Sequence, residues 1–412
     1  MERQYRHTAS RRRPRTERVR TEQVRTEQIY TDTGKKTAGS YTDAAGSSLR
    51  EQKIQTVSLR ELARRLKRGR VERDLRVDNV RGALIILVVI GHFLLPLYWT
   101  RLVTNLIYLI YVFHMPCFVM ISGFYAKNIC KKGRFRWGKI VQLLWLYFVF
   151  KMMVHITEGM LAGRLPLFPD FLHESGAPWY LFSLSVWYLS IPLMRRFREY
   201  PLNAIVIVSV MIAVIFIKYF VTVEDFLCID RTLSFAPFFY IGYFYNQENL
   251  DSYLAGRARK GIGILAPLFA AAVFFLTYDH LMLYHIVVYG AQYNRYFPDL
   301  FPWLWLVNLV WYLIAFIMSM GLIGVMPGCR MRVLTKLGQR SLQVYMLHRP
   351  IRDLLQYFGM YEVLSAHSKL TVLLVVLSSA LLAVLLGTDP VYRGFQHIRT
   401  APDRLLLKLG AL

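Results

Sequence analysis

Stretches of about twenty residues without a fixed charge recur along this chain, and they restrict its fold more than any motif does. Such a segment suits the bilayer interior, where backbone N–H and C=O groups find no water and have to be satisfied within a helix or a closed barrel. Several such stretches are present, and counting them with apolar segments that hold a few charges gives ten spans, at residues 82–99, 103–125, 139–157, 178–194, 202–219, 231–246, 261–278, 303–326, 339–357 and 369–387. The composition agrees, with 55% apolar and 15% aromatic residues. The expected fold class is all-α: a polytopic membrane protein built as a bundle of about ten transmembrane helices.

Charges between the segments test this count, because Lys and Arg in short loops favour the cytoplasmic side. The connections holding Lys127, Lys131, Lys132, Arg134 and Arg136, then Arg195, Arg196 and Arg198, then Arg257, Arg259 and Lys260, then Arg330, Arg332 and Lys336 all fall on one face. The intervening loops carry isolated charges such as Arg164, Glu224 and Arg295. An even number of spans with both termini cytoplasmic follows, in a multi-pass protein of the cell membrane. Residues 280–302 include a short apolar stretch followed by Tyr293, Arg295 and Asp299. They read as an outer interfacial or re-entrant loop, since a further span there would put Arg330 and Arg332 outside.

The chain carries 51 Lys and Arg against 26 Asp and Glu. About twenty of those bases precede Asp78, in a polar tail with a tandem pentapeptide pattern at residues 15–29. Residues 1–77 therefore form a basic, mostly disordered cytoplasmic tail with no apolar h-region of a cleavable signal. Near residues 58–70, Ser58 and Glu61 fit a capping box, and Leu59, Leu62 and Leu66 oppose Arg60, Arg64, Arg65 and Lys67. That is the pattern of a short helix lying on an anionic inner leaflet; membrane charge accounts for the basic tail, and no nucleic-acid partner is expected. Residues 78–387 form the membrane domain and 388–412 a cytoplasmic C-terminal tail. Cys117, Cys130, Cys228 and Cys329 show neither disulfide nor metal spacing, and no metal is expected.

Polar residues inside the segments narrow the function. His92 interrupts the apolar run that Arg81 opens, and eleven residues, about three helical turns, put both on one face some 16 Å apart. They cannot touch each other, but a ligand with an anionic head and a long thin arm reaches both: an acyl-CoA, phosphates at Arg81 and thioester at His92. His114 in the second segment and His348, beside Arg349, in the ninth fall at the same depth as His92. Any one of them alone reads equally well as a satisfied core histidine, whereas three at one level point to a common site, because intramembrane ionisable groups face a protein interior or a watery cavity. At the inner rim lie Asp78, whose carboxylate is placed to orient Arg81, and Arg136 and Lys139 at helical spacing, which serve either the donor or ordinary inner-face anchoring.

These residues also carry a family likeness. The chain resembles the acyltransferase-3 family of multispanning membrane proteins, and within it the fucose 4-O-acetylase-like branch. The likeness rests on Arg81 and His92 with ten residues between them; Phe113-His114-Met115-Pro116 leading to Ser122-Gly123-Phe124; Trp179-Tyr180-Leu181; Arg231 before Pro237-Phe238-Phe239 and Gly242-Tyr243; and Gly338, Ser341-Leu342, Tyr345 and His348. The resemblance implies a ten-helix bundle that uses acetyl-CoA or a related acyl-CoA to acylate a hydroxyl of a cell-surface or lipid-linked glycan. Two features depart from the family pattern: paired arginines of some members appear here as Arg136 and Lys139, and no appended extracytoplasmic domain follows residue 387.

The chemistry fits. A sugar hydroxyl is a poor nucleophile, and a neutral imidazole that takes its proton during attack on a thioester contributes about 10²–10⁴-fold. His92 is the expected base and Arg81 the donor-phosphate ligand. His114 or His348 orients the acceptor, Arg349 faces the developing oxyanion, and direct transfer and an acyl-histidine relay both remain open. The rival from another class is a transporter or flippase for a lipid-linked saccharide, with the histidines as a proton relay. Against it stand the lack of inverted repeats and the single Arg81–His92 register.

Overall fold

The computed structural model describes residues 75–97, 100–131, 134–164, 167–174, 176–220, 225–277, 301–364 and 368–408. The basic tail with its expected surface helix near 58–70, and residues 280–300 of the expected outer loop, lie outside the described residues. Helices dominate the described residues, which include one short β-hairpin, β1 (Cys130–Lys131) with β2 (Arg134–Phe135). The described residues of each of the ten predicted segments are largely helical, those of 103–125 as two helices. Among the described residues, six helical stretches are long and apolar enough to cross a membrane: Leu75–Leu97, Arg101–Ala126, Trp137–Leu161, Ala258–Leu276, Trp305–Val325 and Lys369–Leu386.

In chain order the helices are α1 (Leu75–Leu94), α2 (Arg101–Tyr111), α3 (His114–Ala126), α4 (Trp137–Leu161), α5 (Trp179–Met194), α6 (Leu202–Phe220), α7 (Ile229–Phe244) and α8 (Gln247–Ala255). There follow α9 (Ala258–Leu276), α10 (Leu304–Val325), α11 (Arg332–Gln339), α12 (Ser341–Tyr357), α13 (Met360–Val363), α14 (Lys369–Leu386), α15 (Asp389–Arg399) and α16 (Ala401–Lys408). The predicted spans at 178–194 and 231–246 correspond to α5 and α7, each only 16 residues long. The one at 339–357 corresponds mainly to α12, which carries Arg349, Arg352 and Asp353.

The second predicted span is broken in two, and Pro116 is the reason. A proline has no N–H and its ring crowds the carbonyl four residues earlier, here that of Val112. The chain interrupts the helix at Val112 and Phe113, and the Val112 carbonyl instead accepts from the Trp311 indole at 3.1 Å. His114 thereby starts α3 rather than lying mid-helix. His92 also moves relative to expectation: α1 begins at Leu75 and yields to a 3₁₀ turn at Leu95–Leu97, next to Pro96, so His92 occupies its last turn.

Reciprocal glycines bring helix pairs to backbone distance. On α3 and α7, a Cβ at Gly123 would overlap the Phe239 carbonyl and one at Gly242 the Met120 carbonyl. On α1 and α11, Gly82 meets the Leu334 carbonyl and Gly338 that of Asp78. Helices in lipid gain little from hydrophobic association, so close van der Waals packing at small residues is what holds such pairs together. Asn79, fully buried beside these contacts, donates to the carbonyls of Pro327 and Cys329, both at 2.9 Å, and accepts from Thr335 at 2.5 Å.

The predicted C-terminal tail forms α15 and α16, docked on the bundle. Asp389 at the start of α15 pairs with Lys336 at 2.7 Å and with Arg340, and those two bonds pull its carboxyl down to about 2. At the other end, Trp145 and Gln142 of α4 donate to the carbonyls of Ile398 and Arg399 at 3.0 and 3.3 Å.

Replacing Gly242 with Val should lower the melting temperature of the detergent-purified protein, since overpacking a filled contact costs about 1–3 kcal/mol or more. Gly138→Ala is the control, because a Cβ there meets nothing within 4 Å. Equal melting of the two variants would show that the α3–α7 approach does not limit stability.

Candidate active site

Two cavities lie end to end inside the bundle. The first, of about 240 Å³, has Arg81, Ser122, Tyr180, Tyr188 and Ser341 among its walls. The second, of about 130 Å³, is walled by His92, Tyr111, His114, Trp179, Arg231 and Arg349 among others. Val88, Met115 and Tyr345 line both, forming the neck where they meet. One stripe of α1 supplies the common floor: Arg81, Ile85, Val88, His92 and Leu95 recur at alternating steps of four and three, the period of a helix face.

In the first chamber Arg81 donates to the Ser341 hydroxyl at 2.8 Å. Asp78, the expected orienting carboxylate, is buried and accepts from Gln339 at 3.1 Å. Ser122 and Tyr180 share a 2.6 Å hydrogen bond on the wall facing α1. Arg136 and Lys139 sit at the start of α4 and line neither chamber. Lys139 contacts Gln142 at 3.3 Å, one turn before Leu143, which does line the first chamber.

In the second chamber the three predicted histidines converge. The rings of His92 and His348 have centroids 5.0 Å apart, and Tyr111 bridges the others, 6.0 Å from His92 and 4.9 Å from His114. The Tyr111 hydroxyl reaches His92 Nδ1 at 3.5 Å, the outer limit of a hydrogen bond. His114 and His348 each donate from Nδ1 to the carbonyl one turn earlier, Ile110 at 2.8 Å and Val344 at 3.1 Å. His92 and His114 face the cavity, whereas His348 is wholly buried behind His92.

Arg349 enters the same chamber from α12, held from behind by a buried charge network. Its Nε donates to both Asp353 oxygens at 3.0 and 3.1 Å, and its terminal nitrogen to Glu158 at 3.0 Å. Asp353 is fully buried and also accepts from Arg352 and, at 3.2 Å, from Thr157. An isolated carboxylate at such a place would be prohibitively costly; with two guanidinium partners it is retained.

The far wall combines Trp179, Phe235 and Arg231. Trp179 and Phe235 have ring centroids 5.1 Å apart. Arg231, 7% exposed, pairs with Asp225 and lies 4.0 Å from Asp230, and its Nε has no hydrogen-bond partner among the described residues. Over this wall the loop before α7 pairs with the loop before α5: Glu174 donates to the Asp225 carbonyl at 3.0 Å and Leu227 to that of Leu172 at 2.6 Å. Asp225, Leu227 and Cys228 adopt left-handed backbone, φ 51, 48 and 53°, which costs non-glycine residues energy and is held here by that pairing. Burial pushes the Glu174 carboxyl above its ordinary range, with Lys151 at 2.9 Å pulling it back.

Tyr111, Glu158, Asp353, Arg352 and the Ser122–Tyr180 pair were not singled out as site residues from the sequence. A signal existed for part of the network, since Arg349, Arg352 and Asp353 put three charges inside a segment counted as a span. Tyr111 left none, being one tyrosine among 26. No group of three metal-ligating side chains occurs among the described residues.

A family model described as an acyltransferase domain, Acyl_transf_3, matches residues 74–388. The nodulation protein NolL of Sinorhizobium fredii is 33% identical over 147 residues, covering 32% of this chain and 39% of its own length. The nodulation protein NolL of Mesorhizobium japonicum is 26% identical over 193 residues, 43% of this chain and 49% of its own length. The chain thus spans less than half the length of these curated relatives. No solved structure matches.

Asp353→Ala strands the buried Arg352 guanidinium and leaves Arg349 with Glu158 alone, and should cost about 3–5 kcal/mol. Thr157→Ala removes one hydroxyl from the same carboxylate and should cost about 1 kcal/mol. Thermal unfolding of the purified variants compares them; similar melting would mean that the network does not hold α12 to α4.

Proposed function

We propose, from the premise that this chain belongs to the acyltransferase 3 family and is a membrane O-acyltransferase, that it moves an acyl group, acetyl by size, from acyl-CoA to a hydroxyl of a cell-surface or lipid-linked glycan. The observation that carries this reading is the pair of abutting chambers, Arg81 walling one and His92 the other, joined at Val88, Met115 and Tyr345. A thin pantetheine arm fits such a passage, with the donor phosphates left at Arg81. Family membership favours the enzyme over the carrier considered from the sequence.

The donor enters at the Arg81 end, which the basic loops assign to the cytoplasmic face of the cell membrane, the side holding both termini. Polar groups along the first chamber, Ser122, Tyr180 and Tyr188, supply partners for the amides of the arm. The acceptor sugar lies against Trp179 and Phe235, whose rings suit a pyranose face, within reach of the spare Arg231 donors. His92 takes the proton of the acceptor hydroxyl as its oxygen bonds to the thioester carbon. Arg349, oriented by Asp353 and Glu158, faces the oxyanion. The carbon–sulfur bond then breaks and His92 returns the proton to the departing thiolate. His114 orients the acceptor; Arg136 and Lys139 lie outside the chambers and suit a role in attracting the donor.

The test is transfer of labelled acetyl from acetyl-CoA, by proteoliposomes, to the glycan fraction of the producing cell. His92→Gln should insert normally and lose transfer by about two orders of magnitude or more; wild-type rates in this variant would sink the role of His92. Arg81→Ala should weaken acetyl-CoA binding strongly and Arg81→Lys restore it in part, because a charge survives without the planar fork. Calorimetric titration reads this directly, and undiminished affinity in Arg81→Ala would remove Arg81 from the donor site.

A further inference from the structure

The least explained polar atom beside the reaction chamber is Nε2 of His348. This residue is wholly buried, and its Nδ1 donates to the Val344 carbonyl. A neutral imidazole has one proton, so that bond leaves Nε2 as a bare acceptor. It has no hydrogen-bond partner among the described residues, a state that native interiors leave to few polar atoms and that calls for a reason.

The neighbouring ring supplies one. His92 lies 5.0 Å away between centroids, tilted by 48°. Its Nδ1 is the nitrogen approached by the Tyr111 hydroxyl, and Tyr111 lines the chamber with it. With the Tyr111 hydroxyl as donor in that contact, the nitrogen that meets hydroxyl groups is Nδ1, and the ring proton of neutral His92 then belongs on Nε2.

We propose that His348 is a positioning residue for His92: its Nε2 accepts a hydrogen bond from His92 Nε2–H, fixing the tautomer in which Nδ1 is the base. This rests on the reading of His92 as general base given above, and it replaces the expectation that His348 touches the acceptor. The acceptor O–H gives its proton to His92 Nδ1 as the carbon–oxygen bond forms, and that same proton passes to sulfur as the carbon–sulfur bond breaks. The Nε2 proton stays between the two rings throughout, so His348 neither gains nor loses a proton. Hydrogen bonds of this kind are often long in unliganded enzymes and tighten when substrate binds. The logic is that of any base whose second nitrogen is held by a third group.

Two measurements on the full-length protein in detergent test this. In steady-state acetyl transfer, His348→Leu should lower kcat by about 10- to 100-fold, with KM for acetyl-CoA within about twofold. His348→Gln, whose side-chain carbonyl can accept the same bond, should recover most of that loss. Independently, ¹⁵N-histidine NMR of wild type, with His92 identified by its absence in His92→Gln, should show its proton on Nε2. A proton on Nδ1 overturns the proposal whether or not His348→Leu folds. So does a folded His348→Leu protein with wild-type kcat, or a His348→Gln protein no more active than His348→Leu. Absence of acetyl transfer by wild type would count against the transferase reading alone, while the tautomer still settles what His348 does.

Discussion

Backbone-to-backbone contact at glycine is the constraint from which the rest of this bundle is built. Gly123 with Gly242 brings α3 against α7, and Gly82 with Gly338 brings α1 against α11. In lipid there is no bulk hydrophobic force to press helices together, so the depth of van der Waals contact sets the association. Both contacts matter beyond stability. The first fixes α3, which carries His114 and Met115, relative to α7, which carries Arg231 and Phe235. The second fixes α1, with Arg81 and His92, relative to the segment that leads into α12, with Ser341, Tyr345, His348 and Arg349.

Once those pairs are set, charges can be placed where an isolated helix could not hold them. Helix α12 carries Arg349, Arg352 and Asp353 within five residues, yet Asp353 is fully buried. Its two guanidinium partners come from its own helix, while Thr157 and Glu158 come from α4. The network thus closes only after α4 and α12 have docked. Its net effect is to present one end of Arg349 to the chamber with the other end pinned.

How much of this was legible in the sequence depends on distance along the chain. The Arg81–His92 stripe was readable because the helical period alone puts both on one face, and the predicted segments are largely helical because long apolar runs leave the backbone few other choices. The break before His114 could have been read from Pro116, whose missing N–H frees the Val112 carbonyl. The partners of each site residue were not readable. Ser341 at Arg81, Tyr111 at His92 and Glu158 at Arg349 are separated in sequence by 260, 19 and 191 residues, and nothing in local periodicity selects them. Asp78 shows the same limit: its spacing from Arg81 suggested an ion pair, whereas tertiary packing gave it Gln339 and gave Arg81 a hydroxyl.

The neck between the chambers is assembled from three separate helices, Val88 of α1, Met115 of α3 and Tyr345 of α12. An aperture made by a loop can open through local backbone motion; the backbone behind this one moves only with whole helices. Helix tilt responds to hydrocarbon thickness, at fractions of a kcal/mol for each Å of mismatch. A bilayer thick or thin enough to tilt these helices would therefore alter the frame of the passage as well as the fold.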